Sequence, residues 1–362
     1  MEIGLIGLPQ CGKTTIFNAL TRGHASVQAS GQSNVGVAKV PDPRLNTLSA
    51  MFNPKKTTPA EVRYTEVPAA PHGLGKSEGI TGAFYRNLAN VDAIMHVVRA
   101  FGDPTVPHVE GSVDMHRDIS TMDMELTFAD MALLEKRLER LKANLKPAKP
   151  GERDAMLREL ALLNRIKDAL GKDVPVREQS FTEDEARALT AYQFLTSKPL
   201  LLVVNIGEED VSRAEAWEKE LRARYNRPGR ACVVMCGKLE MELAQMSDAD
   251  AAEFRESMKL QAPGMERAIR LSYGLLGYIS FFTVGPDEVR AWTIRRGSTA
   301  PKAAGKIHSD LERGFIRAEV IAADTLLQCG GLTEAKRQGL LRLEGKTYVP
   351  QDGDVMNILF SV

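Results

Sequence analysis

Cysteine is scarce in this sequence. Four in 362 residues are too few for a disulfide framework, so a reducing, cytoplasmic compartment is the expectation. Net charge is missing as well: 47 Lys and Arg balance 47 Asp and Glu, which excludes a protein that coats polyanions generally but leaves room for local basic patches. No apolar run approaches the roughly 20 residues that span a bilayer; the longest candidates, such as Leu200–Val204, are strand-sized. The N-terminus lacks a basic region followed by an apolar stretch and cleavage site, so neither secretion nor a membrane partner is expected. Tandem repeats, low-complexity tracts and charge blocks are lacking too. With 26% charged residues, 43% hydrophobic residues and a mean hydropathy of −0.21, the chain reads as folded and soluble. At about 100–200 residues per domain it has room for two or three domains.

The first six residues, MEIGLI, read as a buried strand that runs into GLPQCGKTT, and Thr14–Leu20 follows as an apolar helix. Val62–Val67, Ala93–Val98, Leu200–Asn205 and Ala231–Met235 are further strand-like runs rich in Val, Ile and Leu. Continuous apolar runs suit a sheet covered on both faces, and the helical patterns beside them favour a mostly parallel α/β domain. Between Asp123 and Ser197 the texture changes. Leu134, Leu138, Leu141 and Leu145 form one heptad-like stripe and Met156, Leu160, Leu163 and Ile166 a second, with Pro147, Pro150 and Gly151 between them. This predicts an antiparallel helical hairpin whose leucines pack against each other. A third helix is predicted from Thr182, which forms a capping-box pattern with Glu185. After Tyr278, the runs FFTVG, VRAWTI, GFIRAEVI, KTYVP and VMNILFSV read as short strands of a small α+β domain, with a turn at QDGDV. The expected boundaries are 1–123 and 198–277 for a split nucleotide-binding domain, 124–197 for the inserted hairpin and 278–362 for the C-terminal domain.

Gly7–Thr14 satisfies G-x-x-x-x-G-K-[ST] in a strand–loop–helix context. Such a loop curls its backbone N–H groups toward phosphate oxygens, and the helix that follows adds its dipole. Pro9, Gln10, Cys11, Gly12, Lys13, Thr14 and Thr15 are therefore the expected nucleotide contacts. Lys13 neutralises β- and γ-phosphate charge and Thr14 ligates Mg²⁺. Cys11, at a helix N-terminus, is a small neutral loop residue or else a thiol of lowered pKa whose oxidation would block the site. Cys232 and Cys236 have no second Cys/His pair to complete a zinc set and read as core residues.

The remaining motifs resemble the YchF/Obg-like ATPase family of translation-factor-class P-loop proteins over essentially the whole chain. The resemblance is carried by VPDPRL at Val40–Leu45, HVVRAF at His96–Phe101, HVEGSVD at His108–Asp114 and NIGE at Asn205–Glu208. The C-terminal stretches EVRAWTI, GSTAPKAAGKIHSDLERGFIRAEVI and DGDVMN resemble the family's TGS domain. The resemblance implies a P-loop domain interrupted by a helical hairpin, then a ubiquitin-like β-grasp module.

Guanine-specific relatives use N-K-x-D, where the Asp carboxylate pairs with the guanine edge. Here Ile206 replaces the Lys and Glu208 the Asp, and the extra methylene moves the carboxylate out of register. The family's similar N-x-x-E implies that ATP is taken in preference to GTP, with Asn205, Ile206 and Glu208 as the base site; the alternative is that Asn205 and Glu208 only cap the next helix. Met235, Cys236 and Gly237 should form the loop behind the base.

Several positions depart from the family. Glu66-Val67-Pro68-Ala69 stands in place of D-x-x-G, so Glu66 would reach the metal through a water. Ser30 is the counterpart of the switch I threonine that ligates Mg²⁺, and Gln10 stands where the family has an Asn assigned to a monovalent cation. Ala70 occupies the place of the catalytic Gln of Ras-like enzymes. The resemblance hands that task to a loop histidine whose motif position His108 matches, with His72 as a second candidate.

These readings predict a Mg²⁺-dependent nucleoside triphosphatase, slow, ATP-preferring with GTP as the other substrate, that engages the ribosome through its RNA or protein. Lys302, Lys306, Arg313 and Arg317 could supply RNA contacts or a merely solvated surface. No oligomer is implied. The competing reading is a nucleotide-binding scaffold with little hydrolysis because of the altered switch segments. A small-molecule kinase fits poorly, since nothing resembles a lid or an acceptor pocket.

Overall fold

The computed structural model describes residues 1–22, 33–68, 82–147, 149–258 and 263–361. By internal contacts the chain divides into one unit of residues 1–36 and 63–268 and a second of residues 37–62 and 269–362.

The first unit holds most of a six-stranded sheet, residues 37–39 and 61–62 of which are counted in the second. Its strands are β1 (Glu2–Ile6), β2 (Asn34–Lys39), β4 (Glu61–Glu66), β5 (Ala93–Ala100), β6 (Leu200–Ile206) and β7 (Arg230–Met235), in the order β2-β4-β1-β5-β6-β7. β1 is parallel to both β4 and β5, β5 to β6, and β6 to β7. Every residue of β6 is buried, as a strand covered on both faces requires. Around the sheet lie α1 (Lys13–Thr21), α3 (Gly82–Ala89), α7 (Ala214–Tyr225) and α8 (Gly237–Ala244); α2 (Pro43–Phe52) belongs to the second unit. One sheet face carries Ile94, Val98, Leu200, Leu202, Val204 and Val234. They pack against Ile119, Met122 and Leu126 of α4 (Met115–Leu145). β2, whose NVGVAK alternates rather than running apolar, is not among the strands expected from the sequence.

The hairpin is α4 with α5 (Pro150–Leu170). Leu134, Leu138 and Leu141 pack against Leu162, Leu163, Ile166 and Leu170, and Pro150 opens α5, where its missing N–H costs nothing. Gly151 lies inside the first turn of α5 rather than in the connection. The first helix starts at Met115, nine residues before the expected insert boundary, because Asp114 caps it by accepting from His116 N (3.0 Å) and Arg117 N (3.1 Å). Its foot is held at two more points. Asp123 pairs with Arg230 at 2.8 Å, and fully buried Asp130 accepts from the amides of Leu195 (2.8 Å) and Thr196 (2.7 Å). The capping box at Thr182 opens α6 (Glu183–Leu189) as expected.

The second unit contains β3 (Lys56–Thr58), β8 (Tyr278–Thr283), β9 (Glu288–Arg295), β10 (Phe315–Ala322), β11 (Arg342–Glu344) and β12 (Asp354–Phe360), ordered β11-β10-β12-β8-β9-β3. The β8–β9 hairpin, a helix at Ala300–Ile307 and a final strand parallel to β8 give the expected β-grasp, with Ala300, Ala303 and Ala304 set on Ile279, Phe281, Ile294 and Val320. KTYVP is not a strand. The Tyr348 carbonyl accepts from Ala300 N at 2.8 Å and its hydroxyl donates to Asp354, so the segment caps the helix, and the edge strand is β11 instead.

Residues 37–62, expected in the nucleotide-binding domain, group with this C-terminal unit. β3 runs parallel to β9, and Lys55 and Lys56 pair with Asp287 and Glu288. Arg44 of α2 grips Asp42 through Nε and Nη2, reaches Asp352 through Nη1 at 3.0 Å and stacks over Phe282. Gly353 has φ +91°, and a Cβ there would come within 2.5 Å of that guanidinium. The VPDPRL and DGDV motifs thus meet.

Candidate functional site

β1 ends at Ile6 and α1 begins at Lys13, so the phosphate loop bridges the carboxyl end of a central strand and a helix N-terminus. Gln10 and Gly12 both have positive φ, 62° and 85°. Gly12 admits no side chain, since a Cβ would stand 2.2 Å from Asn205 Nδ2. Asn205 itself is 4% exposed. Its Nδ2 donates to the Cys11 carbonyl at 3.1 Å and its Oδ1 accepts from Gly237 N at 2.9 Å. The side chain therefore spends both polar ends joining the phosphate loop to the loop after β7. It ties the two loops together, and its Oδ1 caps the first amide of α8, the helix that follows β7.

Of the other expected base residues, Ile206 is buried in the central core. Glu208, exposed beside Gly207, pairs with Lys238 at 2.7 Å. Met235 and Cys236 are buried at the end of β7, and Gly237 opens α8. Cys232 sits in the core, as the sequence suggested.

Lys13 is 9% exposed, and burial holds its ammonium below its ordinary pKa. A cation kept partly out of water at the head of a helix is poised for an anion. Thr14 is exposed and donates to Glu66 Oε1 at 2.5 Å, while Asn34 Nδ2 holds Glu66 Oε2 at 2.9 Å. The longer carboxylate of Glu66 thus reaches the hydroxyl that would ligate a cation. Pro9 and Thr15 lie half-buried on either side of the loop, and Gln10 is exposed at its rim. Burial pushes the Cys11 thiol up to about 11, so the possible low-pKa thiol is overturned. The desolvation of a 2%-exposed sulfur outweighs the nearby Lys13 charge.

His108 occupies the loop between β5 and α4. That loop leaves the sheet beside the phosphate site: Ile6 pairs with His96, and the Phe101 ring lies 3.8 Å from where a Cβ on Gly12 would be. The imidazole is tucked in, with its side chain 3% exposed. Nε2 lies 2.8 Å from Asp118 Oδ2, and Nδ1 accepts from Glu110 N at 3.1 Å. The second bond makes Nδ1 the unprotonated nitrogen, so Nε2 carries the hydrogen and donates it to Asp118. Both nitrogens are occupied, and the structure offers neither to a water in the phosphate site. Ser30, Ala69, Ala70 and His72 lie outside the described residues.

In the C-terminal unit all four cations of the expected basic set are exposed, and two are paired, Lys302 with Glu312 and Arg313 with Asp310. No helix among the described residues is long and apolar enough to cross a membrane.

Comparison with known proteins fits this geometry. Residues 2–129 match a family described as "50S ribosome-binding GTPase", and residues 278–361 match the YchF-type C-terminal family, described as "Protein of unknown function (DUF933)". A Bacillus subtilis (strain 168) protein named Ribosome-binding ATPase YchF is 42% identical, with 100% of each chain covered. Its namesake from Haemophilus ducreyi is 39% identical over 100% of this chain and 99% of its own. The solved structure of the Schizosaccharomyces pombe YchF GTPase superposes with a TM-score of 0.85 at 29% identity, covering 99% of this chain and 97% of that one. Matched from end to end in sequence and in fold, the chain belongs to the YchF family.

Proposed function

We propose that this chain is a nucleoside triphosphatase that takes ATP in preference to GTP and works in association with the ribosome. The observation that carries the enzymatic part is the assembled phosphate site: a left-handed Gly12, a buried Lys13, and Thr14 joined to Glu66, all tied by Asn205 to the base-side loop. The ribosome as partner is supported by relatives of equal length that carry that name. These relatives favour the enzyme over the scaffold reading.

An all-oxygen pair of a hydroxyl and a carboxylate suits a hard, partly hydrated cation, so Thr14 and Glu66 are the residues that would hold Mg²⁺. When bound, the ion neutralises charge on the phosphates. Lys13 and the loop amides bind and orient the phosphates. Glu208, longer than the aspartate of guanine-specific sites and paired with Lys238, supports adenine selection. His108 is the residue we assign to orienting the attacking water, once it leaves its pocket.

Calorimetric titration with ATP and with GTP, in Mg²⁺ and at matched potassium, tests the proposal. The expected result is an ATP preference that disappears in Lys13→Ala, with slow phosphate release stimulated by ribosomes. A GTP preference would overturn the reading of Glu208. Binding without any turnover would return the chain to the scaffold class.

A further inference from the structure

Between Phe101 and Arg117 every side chain is exposed or half-buried except His108. A surface loop that tucks one imidazole beside a carboxylate has a reason to hold it there. The loop is pinned in two places. Arg99, itself 2% exposed, stacks on the Phe101 ring and donates to the carbonyls of Phe101 (3.2 Å) and Val106 (2.8 Å), fixing the first half to β5. The second half is fixed to the first turn of α4. His108 donates to Asp118 Oδ2, while Arg117 binds Asp118 Oδ1 through Nε (3.0 Å) and Nη2 (2.8 Å) and holds the Ser112 carbonyl at 2.7 Å. Arg117 Nη2 also faces His108 Nδ1 at 3.4 Å. Each oxygen of Asp118 thus has its own partner, in a pocket where the carboxylate is 3% exposed.

We propose that Asp118 is a latch, a positioning residue that stores His108 away from the nucleotide in the resting enzyme, and that turnover requires this contact to open. The inference rests on the assignment of His108 above. The moving part is the loop and not the helix. α4 is braced beside Asp118 by buried Ile119 and Met122, by the Asp123–Arg230 pair and by Asp130, so the carboxylate stays where it is. Among the described residues, the His108 and Ser112 contacts and the partial packing of Val109 hold residues 107–113, and Gly111, at φ +78° with open space around it, provides a turning point. A loop that empties its pocket only part of the time lowers the apparent rate by the fraction of time spent closed. Slow basal hydrolysis follows without any defect in the phosphate site, and a partner that holds the loop open would accelerate it.

Steady-state phosphate release from the full chain tests the latch with four proteins: wild type, Asp118→Ala, His108→Ala and the double variant. Asp118→Ala is expected to raise basal turnover by several-fold to about tenfold. His108→Ala is expected to abolish it, and the double variant to match His108→Ala. If His108→Ala turns over like wild type, the assignment of His108 fails and the latch fails with it. If His108→Ala is inactive while a folded Asp118→Ala is no faster than wild type, the latch alone fails. A fast double variant overturns it as well, because the gain then does not pass through His108. Should Asp118→Ala unfold, imidazole ¹⁵N–¹H spectra of the wild type read the same contact. With saturating Mg²⁺ and a non-hydrolysable ATP analogue the hydrogen-bonded Nε2–H signal should remain the major species in exchange with a minor open one; its complete loss, or the absence of any exchange, overturns the latch.

Discussion

Two loops leave neighbouring parallel strands at the same end of the sheet, and they are built on opposite principles. The phosphate loop after β1 is shaped from outside: Asn205 grips its Cys11 carbonyl, Gly12 takes a left-handed turn against that amide, and Lys13 is held buried before any ligand arrives. The loop after β5 closes on itself, with His108 satisfied by Asp118 and Glu110 and its two halves tied down by Arg99 and Arg117. The first needs no rearrangement to receive a phosphate; the second must break contacts before its imidazole can do anything. With the roles proposed above, affinity and turnover are separable, one loop carrying each.

The contrast can be broken most severely at Gly12. Gly12→Ala forces φ +85° on an L-residue, a strain of about 1–3 kcal/mol, and drives Asn205 off the Cys11 carbonyl. ATP affinity by calorimetry should fall on the order of 1000-fold, or about 4 kcal/mol, with the helix content unchanged by circular dichroism. Asn205→Ala comes next. It leaves the Cys11 carbonyl and the Gly237 N–H without their partner, at about 1–3 kcal/mol for a buried group. Urea unfolding should show about 2–3 kcal/mol of lost stability, and ATP should bind more weakly while His108-dependent turnover of the bound nucleotide persists.

The smallest effect is expected at His96, on the strand that launches the second loop. His96 is 1% exposed, neither ring nitrogen has a hydrogen-bond partner among the described residues, and burial, helped by the Arg230 charge, lowers its pKa from 6.5 to about 3. A depressed folded pKa means that the neutral ring contributes stability fully above about pH 6.5, and that this is lost as pH falls toward 3. His96→Leu removes the titration. Its stability at pH 7 should lie within about 1 kcal/mol of wild type, and at pH 5 it should be the more stable of the two by about 2 kcal/mol, both read from urea curves.

The phosphate loop was legible because its information is contiguous: eight residues specify turn, charge and helix start. The central strands were legible for a similar reason, since burial on both faces makes them continuously apolar. What escaped reading depended on distant partners. Nothing in Asn205 announces that its amide will be consumed by residues 11 and 237. β3 is three polar residues that become a strand only because β9 lies alongside. KTYVP has the composition of a strand, but its tyrosine found a carboxylate and a helix to cap. For Cys11 the sequence left a small neutral residue and an acidic thiol both open, and solvent exclusion, which no local motif encodes, decides for the first. His108 was found by its motif, while its stored position required Asp118, ten residues on and across a helix cap.

The chain's excursion through residues 37–62 has a bearing on how this molecule could be made or inherited. Ribosomal synthesis delivers β3 and α2 more than 200 residues before the strands they join, so the C-terminal β-grasp cannot reach its final form as an independent folding event. Until β9 and the helix at Ala323–Cys329 emerge, α2, with Leu45 and Leu48 buried in the finished fold, waits without the elements it contacts. A β-grasp module cut out at residue 278 would lose an edge strand, a helix and the arginine that grips its terminal turn. The two halves of this protein are therefore interleaved by covalent order, and neither can be excised as one continuous segment.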